Sequence, residues 1–139
     1  MRIKETKTLL FIKVEQGEEV IETLTRACAE RNIHGGVITG IGALKSATLI
    51  AGGSTEKLQP VEKDFSGPIE IASALGNVSE KDGKAYIHLH ACLGLGDHTA
   101  VAGHLVRGVV SLVGEFAIYK SDKISRRFDE RISMWVWDI

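Results

Sequence analysis

The sequence predicts an α+β fold, a mainly antiparallel sheet flanked by one or two helices. Several segments are rich in apolar and β-branched residues and are separated by glycine-containing turns, which is typical of strands. Only one stretch has apolar residues at clear helical spacing. The chain has 139 residues, the length of one ordinary domain, so we expect residues 1–139 to form a single unit with its own core.

The composition is that of a globular protein, with 44% hydrophobic residues, 25% charged residues and a formal net charge of −1. Domains that bind DNA through its phosphates usually carry a marked basic excess, so the charge argues against that class. The cysteines, Cys28 and Cys92, are too few for a disulfide framework, which favours a reducing cytoplasm. No apolar run reaches membrane-spanning length and no signal peptide is recognisable, so we expect no membrane contact.

The first third of the chain is predicted to contain a strand, a helix and two further strands. Residues 8–14 are apolar and β-prone, and the helix begins at Glu18 and Glu19 and runs to about Arg31. Residues 37–51 read as two strands joined through residues 40–43. The glycines there do not predict a phosphate-binding loop, because the third glycine and the lysine–serine pair of such loops are missing.

The remainder is predicted to be mostly strands. Residues 52–66 should form a short strand and a surface loop, and Asp82-Gly83 should be the turn of a hairpin. Residues 109–119 form another β-prone run, and residues 121–131 should be an exposed, charged loop. Residues 134–137 alternate like an edge strand, so Trp135 and Trp137 should pack on the core or across an oligomer interface.

Three histidines in residues 88–108 carry the strongest functional signal. His88 and His90 follow the apolar run of residues 85–87 and should lie on one face of a strand. A glycine-rich turn then leads to a return segment with His104. If His90 lies opposite His104, the thirteen intervening residues require an odd loop of three or five residues. Three converging imidazoles with an open fourth position predict a site for Zn²⁺ or another divalent first-row metal.

Other polar residues of this stretch have simpler explanations. His98 lies in the turn and is expected to be solvated, and Cys92 is expected to be a small buried thiol. Asp97 has two explanations: it orients a histidine from behind, or it serves the glycine-rich turn as aspartates commonly do.

The same stretch resembles the prokaryotic members of the Plants and Prokaryotes Conserved (PPC) domain family. His88 and His90 match the paired histidines of that family, and Gly103, His104, Leu105 and Gly108 match its following Gly-His-Leu segment. Ala102 stands where the family has glycine, and Asp97-His98 replaces the usual Asp-Gly of the turn. A second segment is similar to another family motif through Gly67, Glu70, Ile71, Ser73 and Gly76.

The resemblance, which covers roughly residues 5–130, implies the same fold and a homotrimer. Plant members contact AT-rich DNA through a separate Arg-Gly-Arg-Pro hook, which does not occur in this sequence. The resemblance therefore implies a stand-alone, trimeric metal-binding module of the kind classed with DNA-binding or regulatory proteins, with only weak support for DNA as a partner.

Two other functions remain open on the sequence. A zinc-dependent, hydrolase-like enzyme would use the three-histidine site on a small substrate, with Glu70 or Glu115 as general base. A purely structural metal site or an empty histidine cluster is the third reading. The sequence names no catalytic residue, no organic cofactor and no small-molecule ligand.

Overall fold

A computed structural model describes residues 1–52 and 60–139 of the chain. Most of the described residues lie in eight β-strands, accompanied by one helix. In chain order the elements are β1 (Arg2–Glu5), β2 (Leu9–Glu15), α1 (Val20–Ala29), β3 (Gly36–Ala51), β4 (Val61–Lys81), β5 (Lys84–Leu95), β6 (Ala100–Lys120), β7 (Arg126–Asp129) and β8 (Met134–Trp137).

Six strands form one antiparallel sheet in the order β1-β2-β6-β3-β4-β5. Strand β6 also pairs with β5, so the long strands curl round and the sheet closes on that side. Alternation along the strands decides which face is inside. In β5 the odd-numbered positions from Ala85 to Leu93 are buried, whereas Tyr86, His88, His90 and Cys92 lie on the opposite face.

The predicted helix is present but shorter than expected at its end, since α1 stops at Ala29. The carboxylate of Glu19 caps its first turn by accepting hydrogen bonds from the backbone N–H groups of Ile21 and Glu22. It also accepts one from the N–H of Gly108, which ties the helix to β6. The helix buries Val20, Leu24, Ala27 and Cys28 against the inner face of the sheet. Burial raises the pKa of the Cys28 thiol to about 12, so this cysteine is an unreactive packing residue, unlike a catalytic thiol.

This architecture confirms the expected antiparallel sheet with a flanking helix and refines the fold class. Within residues 1–52 and 60–139, α1 is the one α-helix, so the fold is mainly β with a flanking helix.

Two of the predicted strand boundaries are wrong. Residues 37–51 form a single strand, β3, in which register shifts at residues 40–42 and 44–46 replace the expected turn. Likewise the return segment after the histidine turn and the run 109–119 are one continuous strand, β6. The prediction for residues 52–66 falls partly outside the described residues, and Val61 onward belongs to β4.

The Asp82-Gly83 hairpin is confirmed. Lys81 pairs with Lys84, so the turn has two residues, and both have positive φ angles, 52° and 75°. These angles are typical of the type I′ turn that matches the right-handed twist of the flanking strands.

The prediction of an exposed loop at residues 121–131 is wrong for its second half. Residues 126–129 form β7, which pairs with β8 in a separate two-stranded sheet, so β8 is a strand but does not extend the main sheet. Phe128 and Trp135 stack edge to face with ring centroids 5.8 Å apart. The buried carboxylate of Asp129 binds the guanidinium of Arg131 and the Arg131 backbone N–H, which closes the turn.

In the part of the chain that the structure covers, no helix has the length and apolar character needed to cross a membrane.

The bulge at Gly42 yields a stability prediction. A Cβ at Gly42 would lie 2.6 Å from the Val113 carbonyl oxygen and 2.8 Å from the Gly114 Cα. Because both obstacles are backbone atoms, Gly42→Ala should destabilise the fold by about 1–3 kcal/mol, measured as a lower urea midpoint. Gly94→Ala is the matched control, since its Cβ would lie 3.8 Å from the Glu70 Cβ, an ordinary contact. Equal midpoints for the two variants would contradict this account of the bulge.

Candidate metal centre

The local structure of β5 places two histidines side by side, as the sequence predicted. His88 and His90 are two residues apart on the outer face, and Leu89 between them is fully buried on the inner face. The ring centroids of the two histidines are 5.1 Å apart. The apolar face of β5 is therefore held in the core, and this orients both imidazoles outward.

The β5–β6 hairpin brings the third histidine, His104, next to His90. His90 and His104 are directly opposed, and pairing continues to Gly94 and Ala100 before the five-residue connection. The register and the odd loop length are as predicted. The ring centroid of His104 lies 5.0 Å from that of His88 and 5.4 Å from that of His90.

The geometry of this cluster fits a divalent metal ion. One ring nitrogen from each of the three histidines lies within 4.8 Å of the other two. The Nε2 atoms of His88 and His90 are 3.3 Å apart. Tetrahedral coordination at Zn–N distances of 2.0–2.1 Å requires nitrogens about 3.3 Å apart, so this pair already has the required spacing. His90 is exposed, which leaves the outer side of the cluster open to a further ligand.

The electrostatic surroundings keep two of the imidazoles neutral. Burial lowers the pKa of His88 to about 4, and the charges of His104, Arg126 and His90 act in the same direction. Burial and the charge of His90 lower the pKa of His104 as well. Near neutral pH these two rings therefore carry no proton that a metal would have to displace in forming the neutral imidazole.

Neighbouring candidates do not join the cluster. His98 is exposed at the turn with a φ angle of 65°, and Cys92 is partly exposed on the same face but outside the group of ligand atoms. The Asp97 carboxylate accepts hydrogen bonds from the Thr99 backbone N–H and hydroxyl, which lower its pKa. Asp97 thus stabilises the turn, the simpler of its two explanations.

The two glutamates considered as partners of the histidines lie elsewhere on the sheet. Glu70 pairs with Gly94, four residues along β5 from His90, a separation of about 13 Å. Glu115 pairs with Lys13 and Ile41 near the other end of β6. Among the described residues, the group of side chains able to hold one metal contains histidines alone.

Sequence reasoning missed Arg126, which contacts the cluster from the C-terminal hairpin. Its Nη2 atom lies 3.4 Å from His88 Nδ1 and donates to Asn77 Oδ1 at 3.1 Å. Its Nε donates to the Ser79 hydroxyl, and its Nη1 donates to the Trp135 carbonyl oxygen. One guanidinium therefore joins the hairpin, strand β4 and His88. The only signal in the sequence was a basic spot at residues 125–128, which looked like a solvated loop.

Aromatic and cationic groups surround Arg126. Its guanidinium carbon lies 4.9 Å from the centroid of the Tyr86 ring. The Lys81 ammonium lies 5.7 Å from the same centroid and 4.5 Å from that of Trp135. The indole N–H of Trp137 donates to Asn77 Oδ1 at 3.3 Å. We call this group, Lys81, Tyr86 and Arg126 with the two tryptophans, the cationic wall.

On the other side of the cluster, the outer face of the sheet is apolar and uncovered. Cross-strand pairing forms a continuous row from Phe11 through Ala117, Thr39 and Leu75 to His90. Phe11 is 43% exposed and Leu75 is 59% exposed. A groove of about 590 Å³ lies farther along this face between β1, β2, β3 and β6, and the histidines do not line it.

A comparison with protein-family models identifies the family of this chain. Residues 1–122 match the model of the Plants and Prokaryotes Conserved (PCC) domain, the family whose motifs the sequence resembles. The chain belongs to this family. Strands β7 and β8 and most of the cationic wall lie beyond the matched residues.

Three solved structures illustrate the likeness. A candidate DNA-binding protein from Bacteroides thetaiotaomicron is 29% identical with a TM-score of 0.93, over 99% of this chain and 96% of the other. A metal-containing protein from Archaeoglobus fulgidus is 31% identical with a TM-score of 0.84, over 99% of both chains. A plant- and prokaryote-conserved protein from Pyrococcus horikoshii is 30% identical with a TM-score of 0.81, over 97% of this chain and 93% of the other. No curated protein gave a significant match to the sequence.

Proposed function

We propose that this family member is a metal-binding module that holds one divalent first-row cation, such as Zn²⁺, through His88, His90 and His104. The observation that carries the proposal is the convergence of three imidazole nitrogens within 4.8 Å on the outer face of the β5–β6 hairpin. Neutral imidazoles suit zinc and its neighbours in the first row, and a bound cation would polarise a ligand in the open position. The 31% identical Archaeoglobus protein, which is described as metal-containing, supports the same reading.

Metal content tests this assignment directly. Wild type should contain about one metal ion per chain, and His90→Ala should lose most of it because two imidazoles rarely retain Zn²⁺. His98→Ala removes an exposed histidine of the same hairpin that lies outside the cluster, so its metal content should equal that of wild type. Elemental analysis of the three proteins gives the result. Equal metal in wild type and His90→Ala would reject the site.

DNA is the partner suggested by the name of the 29% identical Bacteroides protein. The charges of this chain support only a weak interaction. Its formal net charge is −1, and several cationic side chains are already engaged by carboxylates, including Arg26 with Glu18 at 3.2 Å and Lys120 with Glu5 at 2.8 Å. Engaged cations release fewer counterions from DNA, and counterion release supplies most non-specific affinity.

We therefore expect binding that is weak, salt-sensitive and indifferent to sequence. Titration of an AT-rich duplex at about 150 mM salt should give no sub-micromolar affinity. A GC-rich duplex of equal length is the control and should behave alike. A sub-micromolar dissociation constant with a clear preference for the AT-rich duplex would show that the surface holds a DNA site after all.

Assembly into a homotrimer is the second part of the proposal. The uncovered outer face supports it, since Val37, Ile41 and Tyr119 are each more than half exposed there and lie close to Phe11 and Leu75. Apolar patches of this kind are typical of interaction surfaces, and an identical subunit is the commonest partner of a sheet face. The count of three comes from the family resemblance.

Sedimentation equilibrium at micromolar concentration should give about three times the chain mass of 15.1 kDa. Ile41→Glu adds a charge beside Glu115 on the outer face and should shift the mass toward the monomer, because two buried like charges oppose association. Ile139→Glu is the control, since Ile139 is 96% exposed at the chain end, away from the sheet face. A wild-type mass near 15.1 kDa would contradict the trimer.

A zinc-dependent hydrolase is the other function that the site suits chemically. The exposed side of His90 favours it, because a catalytic metal needs an open position. The positions of Glu70 and Glu115 weigh against a hydrolase. Neither carboxylate lies close enough to the histidines to serve as general base. The binding module is therefore the better-supported function.

A further inference from the structure

Two cationic side chains lie on one flank of the histidine cluster, and no carboxylate of residues 1–52 or 60–139 forms an ion pair with either. Its three ligands are neutral when they bind a cation, so a divalent ion would keep its full charge. The Arg126 guanidinium contacts His88, and the Lys81 ammonium shares the Tyr86 ring with it. Neither cation forms an ion pair with a carboxylate in the described part of the chain, whereas the next residue, Arg127, pairs with Asp138 at 3.3 Å.

Arg126 opposes a bare cation in two ways. Its fixed charge lies on the far side of the His88 ring, about 7 Å from a metal held at Nε2, where like charges repel appreciably in a partly buried setting. A histidine that binds through Nε2 also carries its hydrogen on Nδ1 and usually donates it to an acceptor. The guanidinium beside Nδ1 has donors only, so it cannot accept that hydrogen.

We infer that this site takes its cation together with a small oxyanion, and that Arg126 makes the anion part of the site. The inference rests on the proposed metal site and specifies what occupies the open position. A carboxylate or phosphoryl oxygen on the metal would offset the charges of the cation, Arg126 and Lys81 at once. The ligand class is thus a small acid that fills the open position of the cation and is attracted by the charges of the cationic wall.

The hydrogen bonds that fix Arg126 support a role of the cationic wall in binding. Three acceptors that do not depend on the state of His88, the Ser79 hydroxyl, the Trp135 carbonyl oxygen and Asn77 Oδ1, hold the guanidinium in place, so its charge does not move away when a cation arrives. All three are uncharged. If the guanidinium served only to join the hairpin to the sheet, a carboxylate would hold it more strongly than neutral acceptors do. Asp129 holds Arg131 in this way.

Cobalt titration tests the inference, because Co²⁺ replaces Zn²⁺ and its visible absorption reports binding without any enzymatic activity. Wild type is titrated in sodium perchlorate and, at equal ionic strength, in acetate or methylphosphonate, which represent carboxylates and phosphoryl groups. The favoured anion should tighten cobalt binding about tenfold, a coupling of ordinary size for two ligands that share a site. Arg126→Gln should abolish the coupling and tighten binding in perchlorate about tenfold, because the repulsion is gone.

Two further variants separate charge from structure. Arg126→Lys keeps the charge but loses the planar fork, so it should retain most of the coupling with either anion. Arg127→Gln removes a neighbouring exposed arginine and should match wild type. Lys81→Gln leaves the hydrogen bonds of Arg126 in place. If Arg126→Gln does not fold, Lys81→Gln should instead reduce the effect of the anion on cobalt binding.

The outcomes are distinct. Cobalt binding by wild type with no effect of acetate or methylphosphonate overturns the oxyanion inference and leaves the metal site standing. An equal anion effect in wild type and Arg126→Gln overturns the role of Arg126. No cobalt binding by wild type rejects the proposed metal site and this inference together.

Discussion

The antiparallel register between β5 and β6 is the constraint on which this molecule depends. It opposes His90 to His104, closes the sheet on one side and keeps Leu89, Ala91 and Leu105 in the core. A shift by one residue would turn the histidines inward and the apolar residues outward, at a cost of several buried side chains. The core therefore enforces the geometry of the cluster, and the histidines need no interaction of their own to remain together.

The C-terminal hairpin adds a second level of organisation. Strands β7 and β8 pair with each other rather than with the main sheet, and their attachment relies on a few polar contacts centred on Arg126. Because the same guanidinium reaches His88, the position of the hairpin and the electrostatics of the site are linked. This linkage involves residues beyond those matched by the family model, so it is a property that family members with another C-terminus need not share.

The proposed assembly and the proposed metal site both involve the outer face of the sheet. The apolar row from Phe11 to Leu75 leads directly to His90, so a subunit that covers the row would approach the open side of the cluster. The proposed trimer would therefore restrict ligand access to the proposed metal site from that side. The cationic wall lies on the opposite flank of the histidines, where Arg126 contacts His88.

The sequence by itself determined the parts that depend on local periodicity. The alternation around His88 and His90, the glycine-rich turn before His104 and the Asp82-Gly83 turn each follow from short-range steric rules, so the convergence of the three histidines and the hairpins β4–β5 and β5–β6 were predictable. Tertiary structure decided the rest. Bulges let β3 and β6 continue through glycines that looked like breaks, because a long partner strand holds both halves. Arg126 looked solvated because its partners, Ser79, Asn77 and His88, lie about 40–50 residues away in sequence, and only the folded sheet brings them together.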